Sequence, residues 1–238
     1  MEATFERHDV SHLAAYGIEH SPFRQALPPQ LVERTSQMTD ALSRTIPSAS
    51  VARLEELLDR QDILACLQRI SRAIDRFDRE LFLSGFHSDA IIDAGEFVGP
   101  PELVYEGGRQ LHETGQSATL HNLMNHTCDL QGEAAHTETY FLYTGRNHDG
   151  SNWLAGGRYV DRLERRDGAW KVAFRCTLLE WSSVIPGAAV PLFDNTPDAH
   201  LNGAPSRTLA DPSYQRPLIN RRALSCPDNP RELSAPRT

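Results

Sequence analysis

The stretch Gly156–Arg175, "GGRYVDRLERRDGAWKVAFR", decides the fold. Asp167 and Gly168 are the residues expected at the centre of a two-residue hairpin. The runs on either side, "NWLAGGRYVDRLERR" (152–166) and "AWKVAFRCTLLEW" (169–181), alternate and are rich in β-branched and aromatic residues, so they are expected to pair as long antiparallel strands. Working upstream, "TLHNLMNHTCDLQG" (119–132) and "EAAHTETYFLYTGRN" (133–147) read as two more strands, joined at Gly132 and Glu133. Four long strands in sequence make a meander.

Before the strands the periodicity is helical. In "SVARLEELLDRQDILACLQRISRAIDRFD" (50–78), Ile63, Leu67, Ile70, Ile74 and Phe77 recur at intervals of four and three, with Ser50 as the expected N-cap. A short helix is expected after Asp78, its N-cap, in "DRELFLSGF", and a short strand or hairpin in "HSDAIIDAGEFVG". A third helix, in "PPELVYEGGRQLHET", starts on proline and carries Gly107 and Gly108. Helices first and antiparallel strands after place the fold in the α+β class. The expected architecture is a cone-shaped α+β barrel, its N-terminal helices packed in a strongly curved, mainly antiparallel sheet.

Composition bounds the rest. The 238 residues include 39% hydrophobic ones, enough for a core, and carry a net charge of −8. An acidic chain with no basic face does not suit nucleic acid. Cys66, Cys128, Cys176 and Cys226 are far apart with no C-x-x-C pair and read as reduced thiols. No run approaches a membrane helix and the N-terminus lacks the pattern of a signal peptide, so a cytoplasmic protein is expected. Residues 1–50 read as a partly ordered arm with one short helix at Leu31–Leu42, 51–185 as the barrel domain, and 186–238 as a proline-rich tail. Within the tail, "VIPGAAVPLF" has the apolar content to act as a lid. The ten histidines show no H-x-H or H-E-x-x-H spacing, so neither metal nor other cofactor is expected.

With these pieces in place, "AIDRFD", "FHSDA", the H-x-x-x-N strand at His121–Asn125, "AAHTETYF" and the closing hairpin together resemble the SnoaL-like branch of the nuclear transport factor 2-like superfamily. The resemblance covers roughly 51–185. It includes scytalone dehydratase, hexachlorocyclohexane dehydrochlorinase, polyketide cyclases and ketosteroid isomerase, and also non-catalytic members, so fold alone does not fix function. The resemblance implies that His121 moves a proton, that Asp75 orients it, and that Arg175 stabilises an anion. The residue types suit this, because histidine titrates near neutral pH and a carboxylate on one ring nitrogen fixes the tautomer. The alternatives are an exposed Asp75, a core His121, and a rim salt bridge at Arg175. Five residues before Asp75, where such dehydratases carry Tyr or Lys, this chain has Ile70.

Further candidates for substrate contact are Asn125, His136, Tyr140, Phe82 and Trp153. Tyr140 and Tyr143 have opposite parity, so only one of them can face inward; His126 is expected to face outward. The expected function is a cofactor-independent lyase or isomerase acting on an apolar cyclic or polyketide-like small molecule. The alternative is a non-catalytic binding or assembly module, and epoxide hydrolysis would require two carboxylates flanking an arginine inside the pocket. An apolar outer sheet face suggests a homodimer or homotrimer.

Overall fold

The computed structural model describes residues 48–187, 198 and 200–223. The expected arm helix at Leu31–Leu42 and Cys226 lie outside them. The chain divides into two units, Met1–Ala52 and Arg53–Thr238, and the second holds the fold described below.

Helix α1, Ser48–Asp75, is followed by α2, Arg79–Leu83, the hairpin β1, Phe86–Ala94, and β2, Phe97–Gly99, and then α3, Pro101–Gly115. Four long strands complete the order: β3, Gln116–Gln131; β4, Ala134–Asn147; β5, Asn152–Arg166; and β6, Ala169–Ile185. Ser50 is inside α1 rather than capping it, since the helix begins at Ser48. Asp78 caps α2 as expected, its side chain accepting from the Leu81 N–H. The six strands form one curved sheet in the order β2-β1-β6-β5-β4-β3, antiparallel except where β1 runs parallel to β6.

The β5–β6 hairpin closes at Asp167 and Gly168, both with positive φ (52° and 76°), as a type I′ turn requires. Gly157 on β5 is a close approach: a Cβ there would run into the Leu178 carbonyl oxygen. The core is the buried stripe of α1 (Ile63, Cys66, Leu67, Ile70, Ala73) packed with Phe82, Phe86, Ile92 and Tyr105 against Ala135, Leu163, Trp170 and Val172 of the long strands. Burial of this stripe, roughly 1.5–3 kcal/mol for each large aliphatic side chain, is what holds α1 on the sheet. Leu178, Leu179, Trp181, Val184 and Ile185 at the far end of β6 are exposed. No helix among the described residues is long and apolar enough to cross a membrane.

Two bulges change which side chains face the helices. On β3, Met124 and Asn125 together oppose one residue of β4, between the pairs Leu123–Phe141 and His126–Thr139. Strict alternation therefore fails at this point. Asn125 is exposed, and His126 returns to the face of His121 with its Nδ1 2.8 Å from the Thr139 hydroxyl. The outward orientation expected for His126 is thus corrected. On β6, Ala173 is the extra residue, so Phe174 turns outward and Arg175 turns in beside Val172.

Candidate active site

Asp75 is the last residue of α1, and the chain leaves the helix immediately after it. The Asp78 N–H reaches the Ala73 carbonyl and the Phe77 N–H the Ile74 carbonyl, a Schellman ending in which Phe77 takes the left-handed position at φ 51°. That ending aims the Asp75 carboxylate across to the edge strand β3. One oxygen lies 2.7 Å from His121 Nδ1 and the other accepts the His121 backbone N–H at 2.9 Å. Ser71 donates to the His121 carbonyl, so α1 grips this residue on both backbone and side chain.

The geometry fixes the tautomer. An ionised carboxylate only accepts, so Nδ1 carries the proton and donates it, which leaves the lone pair on Nε2. No described residue hydrogen-bonds Nε2. The pair lines a cleft of about 330 Å³ together with Gln68, Ser71, Arg72, Arg76 and Leu123. That volume suits a small ligand. Among the described residues, Leu123 is the one apolar side chain that lines it.

Behind His121 stands an aromatic cluster. The Tyr143 ring meets His121 edge-on at 4.9 Å and stacks on His112 at 5.4 Å. The Tyr143 hydroxyl is 3.2 Å from His112 Nδ1, and burial pushes its pKa up strongly, with the Asp75 charge adding to the rise. Of the two tyrosines left open by parity, Tyr143 faces in and Tyr140 is exposed. His136, on the same outer face as Tyr140, is also exposed. Phe82 is core, packed on Phe86 and Tyr105, and Trp153 backs Tyr143 at 5.2 Å without lining the cleft. None of Asn125, Tyr140, His136, Phe82 and Trp153 lines the cleft at Asp75 and His121.

Arg175 is also placed differently from its expected role. Its Nε and Nη2 donate to the two oxygens of Asp161 at 2.7 and 2.9 Å, and both residues are buried. The edge of the guanidinium that would hold a substrate anion is filled, and Arg175 does not line the cleft. Asp161 is a second internal carboxylate that the sequence reading lacks. No group of three or more His, Cys, Asp or Glu side chains among the described residues could hold a metal.

Burial, reinforced by the neighbouring His121, holds the His112 imidazole at about 4, below the 6.5 of a free histidine. An unfolded chain protonates this ring as pH falls through 6.5, while the folded chain resists until about 4. The stabilisation is thus complete above 6.5 and is lost on going down to about 4. The expected loss is up to about 3 kcal/mol, read from urea midpoints across that window. His112→Gln should flatten the slope; an unchanged slope contradicts the assignment.

The tail returns to this end of the molecule. Asp211 is buried beside Arg76, 3.6 Å from its Nε, and caps a short turn at Pro212–Tyr214. The Tyr214 hydroxyl donates to Asp78 at 2.7 Å and its ring lies under Arg72. Of the expected lid segment, Val184–Gly187 is described and the rest lies outside the described residues.

The family model of the SnoaL-like domain matches residues 55–176. No curated protein matches the chain. Among solved structures, a hexachlorocyclohexane dehydrochlorinase (LinA) of type 2 is similar at 19% identity and a TM-score of 0.54, over 58% of this chain and 98% of that one. The hexachlorocyclohexane dehydrochlorinase LinA-type3 from Novosphingobium barchaimii LL02 is similar at 18% identity and a TM-score of 0.54, over 58% and 97%. At such identities the likeness shows a shared fold.

Proposed function

This chain belongs to the SnoaL-like domain family, and from that premise we propose that it is a cofactor-independent lyase or isomerase working by proton transfer on a cyclic or polyketide-like small molecule. The observation that carries this reading is the Asp75–His121 contact at 2.7 Å inside a cleft open to solvent. His121 Nε2 takes a proton from a substrate carbon. Asp75 holds the ring and balances the positive charge that develops on it, and the leaving group departs or the double bond shifts as the proton is returned. The proton never needs a carrier beyond the side chain.

The polar lining asks for a substrate with polar substituents rather than a wholly apolar ring. Ile70, buried in the core, supplies none of the polar help that Tyr or Lys gives at that position in the relatives the sequence resembles. The exposed apolar end of β6 supports the homo-oligomer expected from sequence, which sedimentation would show or refute.

The test is a screen of hydroxylated and halogenated ring compounds, with product followed as loss of water or halide by mass spectrometry after dialysis against EDTA. Turnover that survives the chelator supports the reading. Tight binding without any turnover favours the second reading, a holding module of the same fold.

A further inference from the structure

The wall that α1 gives to the cleft is a polar stripe. Gln68, Ser71, Arg72, Asp75 and Arg76 recur at helical spacing, apart from the stripe of Ile63, Leu67 and Ile70 that packs into the core. The Arg76 N–H still reaches the Arg72 carbonyl at 3.2 Å, so the stripe runs one residue past the end of the helix. Two guanidinium groups therefore line the same cleft as the dyad.

Their charges are not equally answered. Arg76 has its Nε 3.6 Å from a carboxylate oxygen of Asp211, and Asp75 is turned to His121. Arg72 has no carboxylate partner among the described residues. Its Nη2 donates to the Ser213 hydroxyl at 3.2 Å, and no described residue hydrogen-bonds its Nε or Nη1. One cation of the cleft wall is left for a ligand to answer.

The tail fixes where that cation stands. The Arg72 guanidinium lies 4.2 Å over the ring of Tyr214, whose hydroxyl is held by Asp78 at 2.7 Å. A guanidinium stacked on a ring keeps its donors in its own plane, directed past the ring edge, where a flat acceptor can meet them. The dipole of α1 favours a cation in its last turn, but a lysine would serve that equally. The flat aromatic seat is what asks for arginine.

We propose that Arg72 is a specificity residue of the cleft, its unpaired donors binding a carboxylate carried by the substrate. A planar, singly charged group matches one guanidinium in shape and charge. This rests on the cleft at Asp75 and His121 being the substrate site, and it narrows the substrate class to small organic acids that fit about 330 Å³. Tyr214 is then a positioning residue, and the tail takes part in choosing the substrate.

The probes are 1-naphthoate, benzoate and cyclohex-1-enecarboxylate, each against the matching primary alcohol, titrated by calorimetry into the full-length chain with thermal melts alongside. The wild type should prefer at least one acid over its alcohol by about tenfold, the scale of one charge-assisted hydrogen-bonded pair. Arg72→Gln should lose that preference while binding the alcohol as before. Arg72→Lys keeps the charge at the end of α1 without the planar donors; it should melt close to the wild type and bind the acid several-fold more weakly. Arg79→Gln removes a charge that does not line the cleft and should leave the preference intact. No acid bound more tightly than its alcohol, or an undiminished preference in Arg72→Gln and Arg72→Lys, overturns the proposal. Proton exchange at carbon reports on the dyad separately: a preference for acids without exchange upholds Arg72 in a binding module, and exchange without the preference removes Arg72 alone.

Discussion

His121→Ala should lower kcat by about 10²–10⁴-fold, with some loss of stability as well, since the ring is nearly buried and pairs with the Asp75 carboxylate. Asp75→Asn should cost about as much by a different route. The Asn oxygen can still accept one hydrogen bond, but its amide nitrogen donates, which favours an unprotonated Nδ1 and moves the proton to Nε2. That is the wrong tautomer for a base. Asp75 also accepts the His121 backbone N–H at 2.9 Å, so the variant should lose some stability as well as kcat. The reading is checked by the split between kcat and KM: both variants should lose kcat with KM nearly unchanged. Near wild-type kcat in either one removes the mechanism.

Arg175→Ala should destabilise the fold by about 3–5 kcal/mol, because it leaves Asp161 charged, buried and alone. Arg175 and Asp161 are 6% and 1% exposed, and neither has a water route to replace its partner. The double variant Arg175→Met, Asp161→Leu should recover most of that loss in urea unfolding, since an apolar pair of similar volume needs no solvation. Its kcat should stay within a few-fold of the wild type. A stable Arg175→Ala protein with its kcat abolished would instead return Arg175 to the role of anion stabiliser.

The Asp167–Gly168 turn and the Gly132–Glu133 turn carry local φ requirements that a sequence displays, and both hairpins close where those residues stand. Bulges carry no such mark. The extra residue at Ala173 sets Arg175 opposite Asp161, so this pair was hidden although both residues lie in the hairpin that identified the fold. The bulge at Met124–Asn125 did the same for His126 and Asn125, turning one in and the other out against strict alternation. His121 and Asp75 were legible through the family resemblance, and strict alternation still places His121 correctly because it precedes that bulge. His112 and Tyr143 depend on how α3 and β4 meet, which periodicity alone does not specify. The contacts of Asp211 and Tyr214 with the end of α1 come from an irregular stretch with Pro205 and Pro212, where no periodicity announces them.

The account turns on whether His121 Nε2 moves a proton at carbon. The most direct measurement is deuterium incorporation from D₂O into cyclic compounds with an acidic C–H, followed by NMR for the wild type and His121→Ala side by side. The account predicts enzyme-dependent exchange at the carbon next to the activating group in the wild type and none above the buffer rate in His121→Ala. Exchange at the same rate in His121→Ala would contradict it.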